Sequence, residues 1–322
     1  MAVYTHLGAE QLAALIANYP VGPLVSAKGI AEGVSNSNWL IDTEGADKAG
    51  ARFVLTMYER RIELKDLPYF LGLLDHLSAK GCPVPRAIHD REGSAFRMVD
   101  GKAVALIEFL PGVSPTLPNA DQAFAVGETL AKVHAASTDF GMSRSNTMSF
   151  GQNLVTLEHC GMRDLASIHP DLPAILSPAK DAAALDLVDL PQAQIHADLF
   201  PDNVLMLGPK VTGLIDFYFA CTGAMALDLA VTHAAWCFDG DGGYLADLGS
   251  ALLEGYQTVR SLTDEECRAF PEIAKGAAIR FVASRAEDWL DTPNDALVTR
   301  KDPMQFVSRW HFYNDHAADI IA

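Results

Sequence analysis

The chain has 322 residues, 49% of them apolar and 20% charged, a normal composition for one large domain or two ordinary ones, with enough apolar residues for a sizeable core. A net charge of −17 argues against nucleic acid or an anionic membrane as a main partner, and no apolar run approaches the roughly 18 residues of a membrane-spanning helix. Five cysteines (Cys82, Cys160, Cys221, Cys237, Cys267) lie scattered without a C-x-x-C pair, and the N-terminus lacks the basic and apolar regions of a secretory signal, so reduced thiols, no zinc site and a cytoplasmic location are expected.

Residues 9–19 read as a short amphipathic helix ended by Pro20. A glycine-containing run, residues 28–38, leads into a strand at 39–42, and residues 52–58 alternate as a second strand. Backbone N–H groups of such a turn could cover phosphates, although most glycine-rich turns are only turns. Leu64, Leu67, Phe70, Leu71, Leu74 and Leu77 fall at three- and four-residue spacing over 63–80, a core-facing helix stopped by Gly81. Strands at 95–99 and 102–109 follow, joined by Asp100-Gly101, a strong hairpin signal.

Pro111-Gly112, Ser114-Pro115 and Leu117-Pro118 then break the pattern and mark a connection. Asn119 with Gln122 opens a helix carrying Ala123, Val126, Leu130 and Val133. Residues 139–152 read as loop and 164–190 as interrupted helix. Residues 228–238 form an apolar helix, 239–243 a loop, Thr263-Asp264-Glu265-Glu266 a helix start, and 274–290 a further helix. The chain is thus expected to divide into residues 1–110, an antiparallel sheet with one long helix, and residues 111–322, mainly helical.

Residues 195–217, IHADLFPDNVLMLGPKVTGLIDF, concentrate three carboxylates, a histidine and an asparagine around two apolar runs and a Gly-Pro-Lys turn. If residues 204–207 and 211–215 pair as a hairpin, its open end brings Asn203 beside Asp216, about 5 Å apart. That is close enough for both to bind one hard cation through oxygen. Asp198, five residues before Asn203, can overhang the same spot, and two metal ligands beside a free carboxylate equip a phosphoryl-transfer site. Three such side chains in a surface loop could also be ordinary caps and turns; the flanking strands favour function.

The HADLFPDN run resembles the H-x-D-x-x-x-x-N loop of the aminoglycoside phosphotransferase superfamily, which has the two-lobed protein-kinase-like fold. GIAEGVSNSN, FVLTMYER, HADLFPDNVL, GLIDFYFAC, DLAVT and FVASR together resemble the homoserine kinases of that superfamily over nearly the whole chain. The resemblance implies an ATP- and Mg²⁺-dependent kinase of L-homoserine in threonine biosynthesis, with other small-molecule kinases (aminoglycoside, choline, sugar) as the alternative. It implies residues 1–110 as the nucleotide-covering lobe, Asp198 as the carboxylate that orients the acceptor hydroxyl, and Asn203 and Asp216 as Mg²⁺ ligands. His196 would brace the loop backbone. Asp228 would anchor the catalytic loop, cap its own helix, or both. Asp202 would assist the metal or face water, and His134 reads most simply as a core histidine.

One departure stands out. Thr56 occupies the position where kinases usually place a phosphate-contacting lysine, so a cation must come from elsewhere, with Lys28, Arg60 and Arg61 as candidates. Adenine is expected at the backbone of Glu108, Phe109 and Leu110. A zwitterionic acceptor needs a cation for its carboxylate, for which Arg280 and Arg285 are candidates, and an acid or carbonyl for its ammonium, for which Glu32, Asp239 and Asp241 are candidates. Tyr218 and Trp236 are candidates to wall the pocket.

Overall fold

The computed structural model describes residues 7–30, 36–45, 47–59, 62–292 and 300–321. Two compact units result: Met1–Gly112 with Thr212–Tyr218, and Val113–Val211 with Phe219–Ala322.

In the first unit, helix α1 (Ala9–Ile16) precedes strands β1 (Leu24–Ile30), β2 (Asn36–Thr43) and β3 (Ala51–Tyr58). Helix α2 (Leu67–Ala79) follows, entered through a 3₁₀ turn at Leu64–Asp66, and then β4 (Ala87–Ile88), β5 (Arg97–Val99) and β6 (Lys102–Glu108). The antiparallel sheet runs β1-β2-β3-β6-β4, with β5 paired to β6. Asp100 and Gly101 both have positive φ (50° and 78°), as a two-residue hairpin turn of this hand requires. Strand alternation sorts the sheet into two faces. Trp39, Ile41, Leu55, Met57, Val104 and Leu106 pack with Leu12, Leu15 and Ile16 of α1. Tyr58, Ala103, Ala105 and Ile107 pack with Leu67 and Leu71 of α2.

The second unit opens with α3 (Ala120–Ser137), whose Asn119 and Gln122 form the expected capping box. Helix α4 (Phe150–Ile168) bends at Gly161 (φ 78°), and α5 (Leu176–Ala183) follows. Strand β7 (Gln192–Ile195) pairs antiparallel with β10 (Cys221–Ala224). Between them lie β8 (Val204–Leu207) and β9 (Lys210–Leu214), a two-stranded sheet turned at Gly208 (φ 62°). Four helices complete the described chain: α6 (Met225–Trp236), α7 (Ala246–Gln257), α8 (Asp264–Asp291) and α9 (Met304–Ile320).

Several elements depart from expectation. Helix α4 begins at Phe150, inside a stretch that reads as loop, and α7 and α9 carry no predicted element. The two helices expected from Thr263 and from residue 274 are one 28-residue helix that continues through Pro271. The division of the chain also differs, because Thr212–Tyr218 returns to the first unit. There Leu214 N–H donates to Pro83 O (2.7 Å), Thr212 Oγ1 donates to Pro111 O (2.5 Å), and the Tyr218 ring packs edge-on against Tyr58 and Phe70.

Candidate active site

The loop after β7 is fixed from below by one carboxylate. Asp228, on α6, is fully buried; its Oδ2 accepts from His196 N–H and its Oδ1 from Ala197 N–H, both at 2.7 Å. These bonds hold Ala197 at φ 63°, a left-handed conformation that a non-glycine residue rarely adopts. Helix α6 starts at Met225 with Ala224 as its N-cap, so Asp228 lies one turn inside and the capping alternative falls away. Its Oδ2 also meets His134 Nε2 at 2.9 Å, and His134 Nδ1 meets the Tyr256 hydroxyl at 2.9 Å. A neutral His134 protonated on Nε2 satisfies both contacts, donating to Asp228 and accepting from Tyr256. Arg260 extends the chain, donating to Tyr256 Oη (3.2 Å) and to Glu266 Oε2 (2.7 Å), and Glu266 closes the capping box of α8 with Thr263. Burial by itself would raise the Asp228 carboxyl; the His134 and His196 contacts outweigh it and hold the group below the usual carboxylate range.

Asp198 emerges from this brace half-buried. Its backbone N–H donates to His196 Nδ1 (3.2 Å), so the imidazole, itself fully buried, props the turn. Asn203 Nδ2 donates to Asp198 O (2.8 Å), which ties the amide nitrogen to the loop and leaves Oδ1 as the oxygen able to meet a ligand. Arg280 of α8 donates to Ala197 O, and its Nη2 lies 3.7 Å from Asp198 Oδ1. Burial pushes the Asp198 carboxyl above its ordinary value, with Arg280 and His196 pulling the other way. A carboxylate so placed is more basic than one in water, which suits a group that accepts a hydroxyl proton.

The second unit therefore brings together His196, Asp198, Asn203, Asp228 and Arg280. Arg280 is 4% exposed, with its guanidinium against Phe219 and Phe281 and its nitrogens turned to Ala197 O and Asp198, so it serves the loop. Arg285 does not join this group: its Nη1 donates to Asp302 O and Gln305 Oε1, both at 2.8 Å. Trp236 is in the core, its indole N–H donating to Leu199 O (3.0 Å), so it offers no exposed wall. Asp239 Oδ1 accepts from Asp241 N–H and Gly243 N–H and closes its own loop, while Asp202 and Asp241 are exposed. Tyr256 and Arg260, unmarked in the sequence, reach the loop through His134; the capping signal at Thr263 and Glu266 was the nearest clue to them.

The other candidates sit in the first unit. Asp216 is exposed, with a left-handed φ of 65°, and its charge, after burial, helps to push the Tyr58 hydroxyl up to about 12. Tyr218 donates from its hydroxyl to Tyr58 Oη (3.2 Å). Thr56 is buried, its hydroxyl donating to Asn38 Oδ1 (2.9 Å). Lys28 is exposed on β1; the register Lys28–Leu40–Val54 alternates with Ile30–Asn38–Thr56 on the same residue parity, so Lys28 shares the sheet face of Thr56. Glu108 N–H donates to Arg86 O (3.0 Å), which leaves donors for a base to Phe109 and Leu110. Glu32, Arg60 and Arg61 lie outside the described residues.

Among the described residues no three His, Cys, Asp or Glu side chains gather as a metal cage. An amide oxygen and a carboxylate fit a different need: they are hard donors, and Mg²⁺ takes few protein ligands and completes its shell with water and phosphate.

The sequence model of the phosphotransferase enzyme family matches residues 26–262. The homoserine kinase of Granulibacter bethesdensis is 45% identical over 314 residues, covering 97% of this chain and 97% of that protein. The homoserine kinase of Zymomonas mobilis is 44% identical over 325 residues, covering 100% and 99%. Among solved structures, an amicoumacin kinase in complex with AMP-PNP, Ca²⁺ and Ami superposes with a TM-score of 0.70 at 14% identity, covering 96% of this chain and 94% of that one. Choline kinase from Cryptosporidium parvum superposes with a TM-score of 0.66 at 13% identity, covering 98% and 96%. These distant structures share the fold.

Proposed function

Because the chain belongs to the phosphotransferase enzyme family, we propose that it transfers the γ-phosphoryl group of ATP to the hydroxyl of L-homoserine, giving O-phospho-L-homoserine for threonine biosynthesis. The observation that carries the choice of acceptor is the likeness, at 42–45% identity over nearly the full chain, to proteins named homoserine kinase. The braced, basic Asp198 supports the choice of chemistry.

In this reading the homoserine hydroxyl donates a hydrogen bond to Asp198, which takes the proton as the oxygen attacks phosphorus in line and ADP leaves. Asn203 and Asp216 would hold Mg²⁺; the support is their place on the chain, one just before β8 and the other two residues after β9, and the oxygen character of both. When bound, the ion would offset the charge of the β- and γ-phosphates. Adenine would bond to backbone at Phe109 and Leu110.

For the missing strand lysine, Lys28 is the best supported substitute, because it faces the same side of the sheet as Thr56. Replacing Lys28 with Ala should raise KM for ATP by about tenfold, as loss of one charge-assisted bond does, and leave KM for the acceptor unchanged. Initial rates at varied ATP and varied acceptor separate the two, and an unaltered KM for ATP removes Lys28 from the site.

The experiment that tests the whole reading is ADP release with L-homoserine, choline and an aminoglycoside as acceptors. Turnover with homoserine supports it. Turnover confined to choline or the aminoglycoside replaces it with another kinase of the family, and no turnover with any acceptor removes the enzyme reading.

A further inference from the structure

Arg309 on α9 and Arg285 on α8 place two cations in apolar surroundings, and among the described residues neither forms an ion pair with a carboxylate. Arg309 is 7% exposed. Its Nη1 donates to Ala234 O (2.5 Å), but its buried Nε has no hydrogen-bond partner. Its guanidinium carbon lies 4.2 Å from the centre of the Phe306 ring, and that of Arg285 lies 4.5 Å from the same ring. Asp302 and Gln305 bond Arg285 through a backbone carbonyl and an amide oxygen, and the Asp302 and Asp239 carboxylates attract Arg285 and Arg309 without forming an ion pair with either.

Arg309 caps the last turn of α6 through Ala234 O, but that bond uses only one of its nitrogens. The chain carries 41 acidic residues against 24 Lys and Arg, so a neutralising carboxylate was readily available. Burying a guanidinium without one is unfavourable, and contact with an aromatic face offsets only part of the loss. The arrangement also bears on its own charges: burial, and then the neighbouring Arg309, pull Arg285 down to about 10. A pair of cations with no carboxylate in direct contact is complementary to an anion from outside.

Its position connects to the reacting centre. Phe306 packs on Phe281 (4.7 Å between ring centres) and Phe200 (6.2 Å). Phe200 is two residues beyond Asp198, and Phe281 follows Arg280, which touches the Asp198 loop.

We propose that Arg309, with Arg285 beside it, binds the carboxylate of the acceptor and so selects amino-acid alcohols over amino alcohols that lack one. The inference rests on the homoserine kinase reading and deepens it by assigning the acceptor's anionic end. The planar guanidinium suits a two-point bond to a carboxylate. A site built around such a bond rejects an analogue without the group, because its own polar atoms then stay unpaired.

The test compares kcat/KM for L-homoserine with that for 3-aminopropan-1-ol, which is homoserine with hydrogen in place of the carboxylate. The natural enzyme should strongly prefer homoserine. Arg309→Met should reduce that preference roughly 100-fold, through KM for homoserine, with KM for ATP unchanged. Arg309→Lys and Arg285→Gln should reduce it by smaller factors, and these milder variants decide the matter if Arg309→Met does not fold. A preference unchanged in every soluble variant overturns the proposal while homoserine kinase activity stands. A natural enzyme that ignores homoserine overturns the functional reading, and this proposal with it.

Discussion

Replacing Asp198 with Asn should lower kcat with homoserine by roughly 100-fold or more, the usual cost of removing a general base, while calorimetry finds ATP binding nearly unchanged. Stability gives a control. Burial raises the Asp198 carboxyl more than Arg280 and His196 lower it, so the ionised group is held at a net cost in the folded protein at neutral pH. A neutral amide removes that cost, and the Tm of the variant should not fall below that of the natural protein. The same shift fixes a pH dependence. In the proposed mechanism Asp198 acts as the carboxylate, so kcat/KM should decline toward acid through a limb lying above the ordinary value of 3.8. A variant with near-normal turnover, or a natural enzyme whose acid limb lies at or below that value, would remove Asp198 from the role of base.

Replacing Asp228 should be as damaging to activity and far more damaging to the fold. Its two oxygens serve three donors: Ala197 N–H on Oδ1, and His196 N–H with His134 on Oδ2. Asp228→Ala leaves all three buried without an acceptor, and breaking a buried charged network of this kind costs on the order of 3–5 kcal/mol. Asn is no remedy. Either orientation of its amide turns an N–H toward an N–H, so Asp228→Asn should lose most of the same stability. The depressed carboxyl also signs the pH dependence: its contribution is present above the pKa of the unfolded chain and lost as pH falls through the lower folded value. Thermal melts of both variants and of the natural protein across acid pH check this. An Asn variant that melts with the natural protein and keeps its turnover would show that the carboxylate does not hold the loop.

The residue patterns made some of this visible and hid the rest for identifiable reasons. Strands β2, β3, β5 and β6 of the first unit were legible because one residue in two faces each core, whereas β1 and β4 carry no predicted strand; the capping boxes at Asn119 and Thr263 announced their helices. Helix α7 was not legible, since Gly249 and Gly255 argue against a helix on propensity. Packing explains Gly255: a Cβ there would lie 2.0 Å from Phe124 O, and one at Gly127 would lie 2.0 Å from Leu252 O, so α3 and α7 cross backbone to backbone. Pro271 divided α8 on paper, yet packing of its apolar residues carries the helix through.

The meeting of Asn203 with Asp198 was readable from their spacing. The division of labour among arginines was not. Arg280, Arg285 and Arg309 are the same letter, and only their partners separate a brace for the loop from a pair with no carboxylate in contact.

The contacts around Ala197 form a closed circuit. Its N–H runs through Asp228, His134, Tyr256, Arg260 and Glu266 to the start of α8, and its carbonyl returns through Arg280 to the same helix. One residue, with the peptide groups on either side of it, is thus gripped by a single helix. Drift in sequence should therefore be graded along the circuit. Arg260 and Tyr256 can be exchanged for other pairs that keep His134 satisfied, because the carbonyl side still holds. Asp228 and Arg280 touch the backbone of Ala197 itself and have no such freedom.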